Sequence, residues 1–177
     1  MTLFVTPRLT VVALTPAYAA DLAAYHARNR NRLAPVEPLR DAAWHTEAAW
    51  AARAADAETE AAAGRMLSTL GLAHGRVTTV ATLSNIVRGP FQAAHLGFSC
   101  DGAAEGQGLM HEHLDALVAH AFGPMGLHRV MANHLPSNDR SAALLDRLGF
   151  EVEGRARDYL KIAGRWQDHV LRSKIAG

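Results

Sequence analysis

The chain has a single cysteine, Cys100, among 177 residues. An intrachain disulfide is therefore impossible, and a reducing compartment is the natural expectation. Neither sign of charge dominates: 18 Lys and Arg face 17 Asp and Glu, a formal net charge of +1. That balance removes any general electrostatic case for nucleic acid or an anionic membrane as partner. No run of about 18 apolar residues occurs, so no spanning helix is expected. The start, Met1 to Leu9, lacks the basic-then-apolar pattern of a secretion signal. The triphosphate-binding pattern Gly-x-x-x-x-Gly-Lys-Ser/Thr is missing, as is the dinucleotide fingerprint Gly-x-Gly-x-x-Gly. Histidine is plentiful, but His111 and His113 would lie about 200° apart on a helix, and no His-x-x-x-His pair carries a glutamate, so no metal site is expected. What remains is a cytoplasmic globular protein, one domain over residues 1–177, with 49% hydrophobic and 20% charged residues.

The most informative stretch runs from Leu96 to Met110. An apolar strand-like segment stops at Asp101, a loop carries Gly102, Gly106 and Gly108, and a helical pattern begins at once. A glycine turn feeding a helix start leaves backbone N–H groups converging on one spot, where the helix dipole favours negative charge. Such a turn suits a pyrophosphate; it also suits a plain strand-to-helix connection.

Periodicity predicts the remaining order. A strand spans Arg8 to Leu14, and Thr15-Pro16 starts a helix to about Arg30. Residues 32–40 hold two prolines and are extended or turned. Asp41 opens an Ala-rich helix to about Ala63, which puts Trp44 and Trp50 on different faces. Strands Arg65–Ala73 and Val77–Ser84 follow, then a loop at Asn85–Pro90 and a strand Gln92–Cys100. A helix covers Leu109 to Phe122, with Leu114, Leu117, Val118 and Ala121 on its apolar face. A short strand Arg129–Asn133, a helix Ser141–Leu148 capped by Gly149, and a hairpin of Phe150–Ile162 with Arg165–Ser173 complete an α/β layout around a mixed sheet.

Several motifs occur in a fixed order: Ser84-Asn-Ile-Val-Arg-Gly89, Leu96-Gly-Phe-Ser99, Gly106-Gln-Gly-Leu-Met110, His128-Arg-Val-Met-Ala-Asn133, Pro136-x-Asn-x-Arg-Ser141, Leu148-Gly-Phe-Glu-x-Glu-Gly154 and Asp158-Tyr-Leu-x-Ile-x-Gly-x-Trp-x-Asp-His169. Together they resemble the GCN5-related N-acetyltransferase (GNAT) superfamily, and within it the ribosomal-protein-alanine N-acetyltransferases of the RimJ/RimL type. Arg8-Leu9 and Leu33-Ala-Pro-Val-Glu-Pro38 fit the same family more loosely. The resemblance implies a mostly antiparallel seven-stranded sheet with a V-shaped opening between its fourth and fifth strands, where acetyl-coenzyme A lies. It implies cofactor contacts from Phe98, Ser99 and Cys100, from the loop Glu105, Gly106, Gln107, Gly108, Leu109 and Met110, and from Asn133, Asn138, Arg140 and Ser141. Ser141 would protonate the departing thiolate. One departure stands out: the family's Arg or Gln three positions before the first loop glycine is Ala103 here, which removes a phosphate contact but leaves the backbone donors.

Acetyl transfer needs a neutral amine. An α-amine of pKa about 8 costs about 1.4 kcal/mol to deprotonate at pH 7, against about 4.6 kcal/mol for a lysine near 10.4. No strong base stands out in the matched motifs, which favours an α-amine acceptor. Glu37 is the candidate base, acting through water, or else a solvated loop glutamate. Glu37, Trp44, Asn85 and Arg88 are the candidate acceptor-binding residues; Asn85 and Arg88 fit loop-stabilising roles equally well. Arg140 suits a cofactor phosphate or solvent. Cys100 reads as an inert thiol beside the cofactor, His95 as a structural histidine, and Tyr159 and Trp166 as core or dimer contacts. The acceptor is a ribosomal protein N-terminus or a small amine such as an antibiotic or aminoacyl-nucleotide; a coenzyme A-binding protein without catalysis is the non-enzymatic alternative. Monomer and homodimer both fit.

Overall fold

In the computed structural model, which describes residues 1–177, the strands are β1 (Thr2–Val5), β2 (Thr10–Ala13), β3 (Leu67–Ala73), β4 (Arg76–Val87), β5 (Ala93–Cys100), β6 (Arg129–His134), β7 (Glu151–Ile162) and β8 (Arg165–Ile175). The helices are α1 (Ala19–Leu33), α2 (Glu47–Ala62), α3 (Leu109–Phe122) and α4 (Asp139–Arg147). All strands join one sheet in the order β1-β2-β3-β4-β5-β6-β8-β7. Every pairing is antiparallel except β5 with β6. The longest helix of the chain, α2, has 16 residues, and no helix is long and apolar enough to cross a membrane.

Each face of the sheet carries its own core. On one face, Leu114, Leu117 and Val118 of α3 and Leu145 of α4 pack against Leu83, Leu96 and Val130. On the other, Leu22 and Tyr25 of α1 and Trp50 and Ala54 of α2 pack on Val12, Leu70 and Val77. Fully burying one such leucine stabilises by about 1.5–3 kcal/mol. Ala54 and Ala57 are buried on α2; small side chains there leave room for α1. His113 is a buried polar exception inside α3. Its ring lies between the hydroxyls of Thr69 (2.9 Å) and Thr79 (2.8 Å), which satisfies both nitrogens.

The feature that positions the site is a ladder that stops. β5 and β6 pair only at Ala93↔Arg129, Ala94↔Val130 and His95↔Met131. Beyond His95 the strands part, because β6 from Arg129 to His134 pairs with β8 on its other edge while β5 stays with β4 as far as Cys100. The gap is the V-shaped opening that the family resemblance implies.

Five expectations need correction. The sheet has eight strands rather than seven: Thr2–Val5 adds an edge strand too short to show a period, paired to β2 across a register shift. The Ala-rich helix starts at Glu47, not Asp41, because Thr46 caps it by accepting from Ala49 N–H at 3.2 Å. Trp44 therefore sits on a 3-10 turn, Ala43–His45, and its ring meets Trp50 edge-on at 4.7 Å instead of lying on another face. Asn85 is not in a free loop; β4 continues through it to Val87 with a bulge, and Asn85 takes φ 49°. The last helix begins at Asp139 rather than Ser141, with Asn138 Oδ1 accepting from Ser141 N–H at 3.1 Å.

Candidate active site

The loop between β5 and α3 is fastened from below by α1. Asn29 Oδ1 accepts from Gly102 N–H at 2.9 Å, and Asp101 Oδ1 accepts from Ala103 N–H at 3.2 Å. Arg28 Nε reaches Asp101 Oδ2 at 2.6 Å. Burial pushes the Asp101 carboxyl up, but Arg28, the Ala103 N–H and Arg76 outweigh it and leave the group below its ordinary value. On the other side Arg8 donates to the Gln107 carbonyl at 2.7 Å and pairs with Glu112 at 2.7 Å.

Held this way, Gly106 and Gly108 adopt φ 72° and 79°, the left-handed region that glycine enters without penalty. Their turn leaves a series of amides unpaired. The N–H groups of Gly106, Gln107, Gly108, Leu109, Met110 and His111 donate to no protein atom, whereas the next, Glu112, returns to the Gly108 carbonyl at 3.0 Å. A concave row of free donors at a helix start is an anion site.

These donors open on a cleft of about 1280 Å³ between α3, α4 and the β5 edge. Phe98, Ser99, Cys100, Glu105, Gly106, Gly108, Met110, Asn138, Arg140 and Ser141 all line it. Gln107 and Leu109 face an adjoining hollow shared with Arg8 and Arg76. Cys100 is half-buried, and burial pushes its thiol up to about 11, so it stays protonated at neutral pH. Ser99 Oγ lies 2.8 Å from the hydroxyl of the fully buried Tyr25. The Ser141 hydroxyl makes no hydrogen bond to protein, although its N–H is capped.

The residues of the anticipated acceptor side are not gathered in this cleft. Asn133, expected as a cofactor contact, also lies outside the cleft lining: its amide meets Tyr159 and the Arg172 N–H on the opposite face. Glu37 is half-buried, with its carbonyl accepting from Ala163 N–H of the β7–β8 turn at 2.9 Å; burial raises its carboxyl above the ordinary value. Trp44 packs between the guanidiniums of Arg40 and Arg53, at 4.8 and 4.7 Å. Arg88 donates to the Met125 carbonyl at 2.6 Å, remote from the cleft, and Asn85 is exposed at its bulge.

Sequence reasoning missed Arg32. It pairs with Glu105 at 2.8 Å and donates to the Cys100 carbonyl, while Arg140 pairs with Glu105 from the other wall. One carboxylate thus holds two guanidiniums at the cleft, next to the position where Ala103 leaves no cation. No local signal marks Arg32, since its partners lie 68 and 73 residues away in sequence. The donor set fits a diphosphate: free amides beside two arginines.

Residues 8–151 match the acetyltransferase (GNAT) domain family. The [ribosomal protein uS5]-alanine N-acetyltransferase of Escherichia coli (strain K12) is 42% identical over 169 residues, covering 94% of this chain and 87% of that protein. The crystal structure of ribosomal-protein-S5-alanine acetyltransferase from Vibrio fischeri superposes with a TM-score of 0.93 at 34% identity, covering 97% and 95% of the two chains. Mycobacterium smegmatis RimJ, solved in complex with CoA-disulfide, superposes with a TM-score of 0.91 at 27% identity, covering 95% and 82%. With an amide-lined cleft beside a split β5–β6 ladder and these relatives across nearly its whole length, the chain belongs to the GNAT acetyltransferase family.

Proposed function

We propose that this enzyme transfers the acetyl group of acetyl-coenzyme A to the α-amino group of a protein N-terminus, with a ribosomal protein as acceptor, in the cytoplasm. The observation that carries the reading is the row of unpaired N–H groups from Gly106 to His111, facing a cleft that also exposes the free hydroxyl of Ser141. The amides and the Arg32–Arg140 pair hold the diphosphate. The β5 edge from Phe98 to Cys100, released from β6, offers backbone groups to the pantetheine arm as a neighbouring strand would. The acceptor nitrogen attacks the thioester carbon directly, the carbon–sulfur bond breaks, and Ser141 gives its proton to the departing thiolate. Glu37, with its raised affinity for protons, takes the amine proton through water.

Purified protein with acetyl-coenzyme A and unblocked peptides should release thiol in proportion to amine; a parallel panel of small amines identifies the acceptor class. No amine-dependent thiol from either panel ends the proposal.

Two binding results are expected. Gly108→Val forces a β-branched residue into φ 79°, a cost of about 1–2 kcal/mol, and sets its Cβ 3.4 Å from Arg8 Nη2. The amide row should turn away, and coenzyme A affinity, read by calorimetry, should fall at least about tenfold. An unchanged affinity would remove the loop from cofactor binding. Arg140→Ala should weaken coenzyme A several-fold at low salt and less at high salt, whereas Glu105→Gln should tighten it by removing a competing negative charge. Matching losses in both variants would show that the ion pair acts only as a structural clamp.

A further inference from the structure

On β6, Val130 and Ala132 belong to the α3–α4 core, so Met131 and Asn133 face the other way. His95 pairs with Met131; continuing that register across the gap sets Gly97 opposite Asn133. Gly97 is exposed, and a Cβ built on it meets no atom within 4 Å. Gly97 therefore leaves open space on the face opposite the α3–α4 core, at the mouth of the split ladder.

An irregular strand brings one aromatic hydroxyl to Asn133, across the gap from Gly97. β7 pairs with β8 at Ala156↔His169 and again at Leu160↔Gln167, so Arg157, Asp158 and Tyr159 together span the single Asp168. Asp158 takes φ 46°, with its N–H held by Asp168 Oδ1 at 3.1 Å, and Arg155 grips the other oxygen at 3.0 Å. Bulges of this kind re-aim side chains beside active sites. Here the result is Tyr159, its ring packed 5.5 Å from that of the buried His169 and its hydroxyl 3.3 Å from Asn133 Nδ2.

The direction of that bond matters. Arg172 N–H points to Asn133 Oδ1 at 3.4 Å, which sets the amide so that Nδ2 donates to the Tyr159 oxygen. The phenol oxygen is thereby used as an acceptor, and its O–H is left to donate outward. We infer that Tyr159 is a specificity-determining donor to the main-chain carbonyl of the acceptor's first residue, and that Asn133 is its positioning residue. This inference rests on the proposed use of an α-amine acceptor, which would bring that carbonyl into the open space over Gly97.

Tyr159→Phe keeps the ring and removes only the hydroxyl. The KM for an unblocked alanine peptide should rise about tenfold, the size of one hydrogen bond. The KM for acetyl-coenzyme A and the rate on isopropylamine, which lacks the carbonyl, should not change. Asn133→Ala should raise the peptide KM in the wild-type background and add nothing to Tyr159→Phe. Gly97→Val should block peptide while leaving coenzyme A affinity intact. An unaltered peptide KM in Tyr159→Phe, or equal losses on peptide and isopropylamine, overturns the inference. Absence of thiol release by wild-type protein counts against the transferase reading alone. Titration of the same peptide into coenzyme A-loaded wild type and Tyr159→Phe then decides the role of Tyr159, equal binding or no binding by wild type overturning it.

Discussion

Ser141→Ala should lower kcat on an amine acceptor by about 100-fold, within the usual range for losing a positioned acid, with acetyl-coenzyme A affinity unchanged. The substitution is structurally mild. Asn138 caps α4 through the Ser141 backbone N–H, which alanine retains, and the serine hydroxyl has no protein partner to lose. The cleft wall around it, Asn138, Arg140 and Leu144, stays in place. A fall in affinity with kcat preserved would make Ser141 a binding residue, and unchanged kinetics would remove it from the mechanism. Cysteine at this position should restore part of the rate, since a thiol can also donate a proton.

Acid should destabilise the protein well before its carboxylates titrate. Burial holds both His26 and His113 down to about 4. His113 is enclosed by the two threonine hydroxyls, and His26 is stacked on Trp50 at 4.5 Å, against Trp44 and Tyr25, with His45, Arg40, Arg53 and Arg28 adding positive charge around it. Above pH 6.5 both rings are neutral in folded and unfolded chains, and this contribution to stability is constant. As pH falls from 6.5 towards 4, the unfolded chain binds protons that the folded chain refuses, so stability declines. Each ring accounts for about 3 kcal/mol across that window. Denaturant melts at pH 7, 5.5 and 4.5 should show the slope, and His26→Phe should remove roughly half of it. A stability that stays flat down to pH 4.5 would contradict this account. Below that range, Asp101, held under its ordinary value by Arg28 and the Ala103 N–H, and Glu112, held under its own by the Thr6 hydroxyl and Arg8, add a further loss.

Much of the architecture was legible because its signals are local. The apolar face of Leu114, Leu117, Val118 and Ala121 predicts α3, and the core uses those residues. Glycines at 106 and 108 announce a turn into that helix, and both take positive φ. The hairpin turn at Ala163-Gly164 is likewise where β7 gives way to β8. Errors came where a neighbour outside the window decides. Thr2–Val5 is a strand only because β2 offers its edge. Trp44 meets Trp50 only because Thr46 restarts the helix between them. For the acceptor side, the sequence offered Glu37, Trp44, Asn85 and Arg88, four residues that the fold distributes among three separate regions.

The order of residues by itself therefore determined the family, the order of the elements after Arg8 and the phosphate-binding turn, since backbone amides at a glycine-rich helix start need no distant partner. Tertiary structure alone decided the cations and the Tyr159–Asn133 pair. Arg32 and Arg140 reach Glu105 from opposite walls, and Tyr159 reaches Asn133 through a bulge measured against β8. Both depend on how far each strand runs before its ladder breaks, a sum of packing terms over the whole sheet that no short stretch of sequence contains.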